Sequence, residues 1–167
     1  LIFSANTISH IPNLIEVFKS VKSILKKEGV FVFEDPYILS VIKNTSYDQF
    51  YDEHAHVFSL IAVKNLIKKF GFKVIDLEHL KTHGGSMRYY IAYEDSNFKV
   101  EKIVKKTHKI ELDHKLNKFS TYKKFGKKVK KSKIKLLSLL KKLKKNNKTI
   151  VSYGATYKSA TIFNYCK

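Results

Sequence analysis

The chain has 167 residues, 44% of them hydrophobic, and a formal net charge of +19 from 33 basic against 14 acidic side chains. That is apolar material for about one domain with its own core, or one domain plus part of another. The single cysteine, Cys166, excludes an internal disulfide and a cysteine-built zinc site, and no apolar run reaches membrane-spanning length.

The charge does not point to nucleic acid. Arg88 is the only arginine and every other basic residue is lysine, whereas base and phosphate readers exploit the bidentate guanidinium. Lysine abundant together with isoleucine and asparagine fits an AT-biased coding sequence. A basic surface can still attract an anionic small substrate. The expectation is therefore no nucleic-acid or membrane partner and, with no signal peptide visible, a cytoplasmic compartment. The chain opens in mid-strand without an initiator Met and stops within a helical pattern, so it reads as a piece of a longer protein.

Residues 1–5 read as a buried strand and 6–12 as a loop. Asn13 can cap a helix over 14–27, with Leu14, Val17, Phe18, Val21, Ile24 and Leu25 on one face and Gly29 as its terminator. Val30-Phe31-Val32-Phe33-Glu34 is a continuous apolar strand stopped by Asp35-Pro36. Strand, helix, strand with short links predicts a parallel βαβ unit. Ligands of open α/β sheets sit at the carboxyl ends of such strands, which places Asn6, His10, Glu34, Asp35 and Tyr37 near one.

The turn at Asn44-Thr45-Ser46 leads into Tyr51-Asp52-Glu53-His54-Ala55-His56, with a phenol, two carboxylates and two imidazoles in six residues. Imidazole exchanges protons near neutrality, and adjacent carboxylates can fix its tautomer. The bland reading is a solvated loop; the aromatic flanks Phe50 and Phe58 argue for partial burial instead. Ser59 can cap a helix over 60–70 closed by Gly71. An alternating strand over 72–80 and another over 87–93 flank His83-Gly84-Gly85-Ser86, which reads as a tight antiparallel connection using glycines at positive φ. Residues 99–148 are helical and lysine-rich, with Tyr122, Phe125, Val129, Leu136, Leu137, Leu140 and Leu143 at helical spacing. A domain boundary is expected at Glu94-Asp95-Ser96-Asn97. Residues 149–153 read as a strand that turns through Gly154-Ala155 into a helix whose free N–H groups, with Lys158 one turn in, suit a phosphate.

These pieces, in this order, resemble the sugar C-methyltransferases. Members of that family carry a Y-H-E-H-like loop, matched here by Tyr51-Asp52-Glu53-His54. They also carry an H-G-G-S segment followed by a hydrophobic residue and arginine, matched by Thr82-His83-Gly84-Gly85-Ser86-Met87-Arg88. A G-Y-G-A run ending in N-Y-C is matched by Ser152-Tyr153-Gly154-Ala155 through Asn164-Tyr165-Cys166, and the opening Ala5-Asn6-Thr7-Ile8-Ser9-His10 resembles the stretch after the fourth strand of the family's cofactor domain. Asp52 and Ser159-Ala160 depart from the pattern. The family's glycine-rich S-adenosylmethionine loop and its cysteine-rich zinc domain are not among these residues.

The resemblance implies an α/β fold: the C-terminal half of a class I methyltransferase Rossmann-like sheet over 1–94, ending in an antiparallel hairpin. Long helices over 95–148 would then lead into the start of a second α/β domain at 149–167. It implies S-adenosylmethionine as cofactor, with Asn6 and His10 contributing to its site. It implies a nucleotide-linked keto deoxysugar as substrate, met by His83, Gly84, Gly85, Ser86, Arg88, Tyr153, Gly154 and Lys158. His54 would abstract a proton α to the ketone, Glu53 would orient it or contact the sugar, and Tyr51 would hold the developing enolate oxygen. Zinc would belong only to a preceding domain. This stretch alone is expected to have little activity. A nucleotide- or sugar-binding module without catalysis, and a basic nucleic-acid binder, are the competing readings. Arg88 has two readings: a planar fork kept for a diphosphate or carboxylate, or a structural ion pair with Glu34 or Asp76.

Overall fold

The computed structural model describes residues 1–154 and 156–167. Four strands form one sheet: β1 (Ile2–Ala5), β2 (Phe31–Pro36), β3 (Phe72–Leu80) and β4 (Ser86–Tyr93), in the order β1-β2-β4-β3. β1 and β2 run parallel, with Ile2 opposite Phe31, joined across α1 (Leu14–Ile24). β4 inserts antiparallel between β2 and β3. The Phe31-Val32-Phe33 run is buried on both sides, as an interior strand requires.

One sheet face carries the core. Phe31, Phe33, Tyr89, Ile91, Val74 and Leu77 share it by register and are all buried. Phe33 stacks on Tyr89 with ring centroids 4.8 Å apart and meets Phe58 edge-on at 5.4 Å. α1 adds Phe18 and Val21, and α3 (Leu60–Lys68) adds Leu60, Val63 and Ile67.

Local chemistry fixes the element ends. Asn13 caps α1 by accepting from Glu16 N. The helix stops at Ile24 because Leu25 turns extended. Gly29 therefore ends no helix; its place is set by crowding, since a Cβ there would lie 2.8 Å from the Leu25 side chain and from the Lys26 carbonyl. The first N–H groups of α3 are all answered: Ser59 Oγ accepts from Ala62 N, and the Glu111 carboxylate accepts from Leu60 N and Ile61 N at 2.7 and 2.8 Å.

A helix that periodicity alone does not reveal, α2 (Ile38–Asn44), follows β2 directly and buries Ile38, Leu39 and Val41; Thr45 closes it in the left-handed conformation. The lysine-rich region is two helices, α4 (Lys102–Asp113) and α5 (Phe119–Lys145), broken at left-handed Lys115. α4 packs on β3 and α3 through Val104 and Glu111. Its N-cap, Glu101, donates its N–H to Ile75 O at the β3 bulge. α6 (Tyr157–Tyr165) lies against the turn at 47–49.

The strand expected over 149–153 does not form. These residues pair with no described strand, and Val151 and Tyr153 are exposed. A strand exists through its partners' hydrogen bonds, so an apolar pattern without a free edge beside it stays extended coil. Ala155, part of the expected turn after it, lies outside the described residues.

Candidate functional site

The titratable loop lies across the carboxyl ends of the parallel strands. Phe58 N donates to Pro36 O and Ile38 N to Phe58 O, while His56 N donates to Ser9 O, just beyond β1. These bonds hold 51–58 over the rim formed by the ends of β1 and β2.

Within the loop, His54 Nδ1 lies 2.8 Å from the Gln49 carbonyl. A carbonyl only accepts, so the ring proton of the neutral imidazole sits on Nδ1 and Nε2 keeps its lone pair. That lone pair faces the Tyr51 hydroxyl at 2.9 Å. Partial burial pushes the His54 pKa below the usual histidine value; the bond to Gln49 opposes this, and His10, Lys158 and His83 add to it. Tyr51 moves the other way, raised by burial and then by Glu53 and Asp52. Near neutrality the pair is therefore an intact phenol beside a neutral, unprotonated base.

His10 belongs to this cluster. Its ring meets that of His54 edge-on at 4.9 Å, and its Nδ1 is 4.0 Å from Glu53 Oε2. His10, expected on the cofactor side, thus lies against His54 and Glu53 of the titratable loop. Behind it, Asp35 is fully buried: Oδ1 accepts from Ser9 N at 3.3 Å, while Oδ2 and Ser9 Oγ have no partner. Burial raises the Asp35 pKa. Asn6 ends β1 with φ 50° and bonds Glu34 O through its N–H.

The glycine loop faces the same segment. His83, Gly84 and Gly85 all have positive φ. Their carbonyls accept, in turn, from Gln49 Nε2 at 2.8 Å, Asn44 Nδ2 at 3.1 Å and Tyr37 N at 3.1 Å. A Cβ at Gly85 would sit 2.4 Å from Ser40 Oγ, so this glycine is required by packing on α2. Ser86 is buried, and its hydroxyl donates to Thr82 O, which closes the turn.

Arg88, Tyr153 and Gly154, also expected to meet substrate, have the following surroundings. Arg88 pairs with Glu34 on β2 and Glu78 on β3, directly opposite it in register, with shortest separations of 2.7 Å to each. Both carboxylates occupy its fork, so it holds the sheet together, and Asp76 is not its partner. Tyr153 projects fully into solvent and Gly154 is exposed beside it; neither meets the rim, because the strand meant to carry them does not form. Lys158 lies in the first turn of α6, and its charge adds to the lowering of the His54 pKa. His79 is exposed, with its Nε2 3.0 Å from Ser40 Oγ.

α5 and α6 clamp the loop from outside. Tyr51 stacks on Tyr157 at 5.9 Å and 11°, Phe50 lies 6.0 Å from Phe125, and Thr161 Oγ1 donates to Phe50 O. Gln49 and Asn44 were not legible as site residues: each is one polar residue in a turn, with no periodicity to single it out. Among the described residues, no group of three or more His, Cys, Asp or Glu could hold a metal ion.

Residues 81–167 match the family described as the C-methyltransferase C-terminal domain, and residues 1–77 match a methyltransferase domain. The chain belongs to the C-methyltransferase C-terminal domain family. The first match ends at 77 and the second begins at 81, so the junction falls in the last residues of β3, with the titratable loop in one match and the glycine loop in the other. The C-methyltransferase NovU of Streptomyces niveus is 27% identical over 166 residues, 99% of this chain and 40% of the relative. The chain thus spans about two fifths of that relative's length.

Proposed function

We infer that the protein containing this chain methylates a carbon of a nucleotide-linked keto deoxysugar using S-adenosylmethionine, with His54 as the base. The observation that carries this is the Nδ1–H bond to Gln49 O, which leaves the Nε2 lone pair unprotonated beside the Tyr51 hydroxyl. A carbon nucleophile must be made before carbon can be methylated, and a proton α to a ketone is the one a neutral imidazole can remove. His54 Nε2 takes that proton, and the C–H electron pair moves into the enolate. The Tyr51 hydroxyl turns from Nε2 to donate to the enolate oxygen. His10 and Glu53 lie where they can pass the proton onward from the cluster.

S-adenosylmethionine, when bound, supplies the electrophilic methyl carbon. Ser9 Oγ and Asp35 Oδ2, buried and without partners beside the 6–10 loop, suit a rim that meets polar ligand atoms or water, and Asn6 would lie on the cofactor side. The carbonyl-pinned loop at 83–85, with Lys158, is the substrate side of the cleft. Residues 1–94, 95–148 and 149–167 serve as cofactor-domain half, helical connector and start of the following domain.

The full-length protein with a nucleotide-linked keto deoxysugar in deuterium oxide tests this. His54→Ala should slow α-proton exchange by about a hundredfold to ten-thousandfold. Exchange at the unaltered rate would remove His54 as the base.

A further inference from the structure

We propose that Gln49 is a positioning residue that ties the His54 base to the glycine loop, so that one buried residue, its backbone carbonyl held in place by its side-chain tether, sets both the tautomer and the place of the imidazole. The inference rests on reading His54 as the base.

Gln49 is 3% exposed. Its Nε2 donates to His83 O at 2.8 Å, and its own backbone carbonyl accepts from His54 Nδ1 at 2.8 Å. One residue therefore joins the two loops. The orientation of the amide is fixed by chemistry: a carbonyl accepts only, so the nitrogen must face His83 and Oε1 must face away. That oxygen is buried without a partner, an arrangement that costs free energy. Leucine has a similar volume and would bury at this position without that penalty. What leucine cannot supply is the donor to His83 O. The residue thus suits a tether better than it suits packing. Asn44 and the Tyr37 N–H hold the next two carbonyls, so the glycine loop is registered against 37–49 at three successive residues, and only the Gln49 link continues to the imidazole.

The test uses the full-length protein and Gln49→Leu. The readouts are the ¹⁵N imidazole signals of His54 (assigned by their loss in His54→Ala), α-proton exchange of a nucleotide-linked keto deoxysugar, and S-adenosylmethionine affinity by calorimetry. Unaltered protein should show His54 as the Nδ1–H form. Gln49→Leu should show mixed tautomers, with kcat for exchange down roughly tenfold to a hundredfold and cofactor affinity unchanged. Should Gln49→Leu fail to fold, Gln49→Glu keeps the shape but sets an acceptor against the His83 carbonyl, and the same tautomer shift is expected. A pure Nδ1–H form in the folded variant would overturn the proposal, as would an unchanged kcat. His54→Ala with normal exchange would instead remove the base assignment and leave the tautomer coupling standing.

Discussion

Glu111 and Asp35 are both carboxylates with no solvent exposure, one at the junction of α3 and α4 and the other at the rim beside the titratable loop. Glu111 is fully answered: each oxygen accepts a backbone N–H from the first turn of α3, where the helix dipole also favours negative charge. Asp35 has one longer bond, at 3.3 Å, and one oxygen without a partner. The same group, equally buried, is a latch in one place and only partly answered in the other, where burial outweighs the bonds from Ser9 and the nearby His10. Desolvation that exceeds its compensation is how sites acquire shifted proton affinities, and at Asp35 it falls at the rim.

The sharpest way to break this comparison is Glu111→Ala. It should leave the Leu60 and Ile61 N–H groups without their partner, costing about 1–3 kcal/mol for each. The full-length protein should show lost hydrogen-exchange protection across α3 and a lower denaturation midpoint; a loss below about 1 kcal/mol would mean the latch bears no load. Glu111→Gln keeps one acceptor but turns an amide donor toward an N–H, and should cost about 1–3 kcal/mol by the same measurements.

At the rim, the pH dependence of kcat/KM tests the base. Because burial lowers the His54 pKa from 6.5, the acid limb should lie below the ordinary histidine value and fall about tenfold per pH unit, roughly 1.4 kcal/mol. The folded state binds this proton less tightly than the unfolded chain, so the stability contribution is present above 6.5 and shrinks as pH drops toward the lowered value. An acid limb above the ordinary value would contradict the burial of the ring.

Asp35→Asn should go the opposite way from Glu111→Gln. It keeps an acceptor for Ser9 N and removes a charge whose burial is only partly offset, so neutral-pH stability should be unchanged or raised by up to about 1 kcal/mol. The raised pKa of Asp35 makes folding less favourable as pH climbs from 3.8 through the elevated value, and the variant should lose that slope. A loss comparable to that of Glu111→Gln would erase the distinction. Tyr153→Ser, at a fully exposed side chain, should change stability by less than about 0.5 kcal/mol, and by fluorescence-monitored unfolding should match the parent.

The elements whose partners lie close in sequence were legible: the βαβ unit, the β3–β4 hairpin and the Asn13 and Ser59 caps. α2 was not, because Ile38-Leu39-Ser40-Val41-Ile42 is short, apolar on every side and starts at a strand end, where no helical face stands out. Tyr51 and His54, three residues apart in one loop, could be paired from spacing. His10 could be placed at the rim by topology but not against His54, and the choice between Arg88's two readings needed the register that sets Glu34 and Glu78 on either side of it.

Local composition and periodicity determined the α/β class, the rim at the carboxyl ends of β1 and β2, and the imidazole beside it, because those depend on patterns a few residues long. The tautomer of that imidazole, the tether through Gln49, the capture of Arg88 and the failure of 149–153 to become a strand were decided only in three dimensions. Each is a question of which hydrogen-bond partner is within reach, and for each the partner, present or missing, is remote or is not marked by any pattern in the sequence.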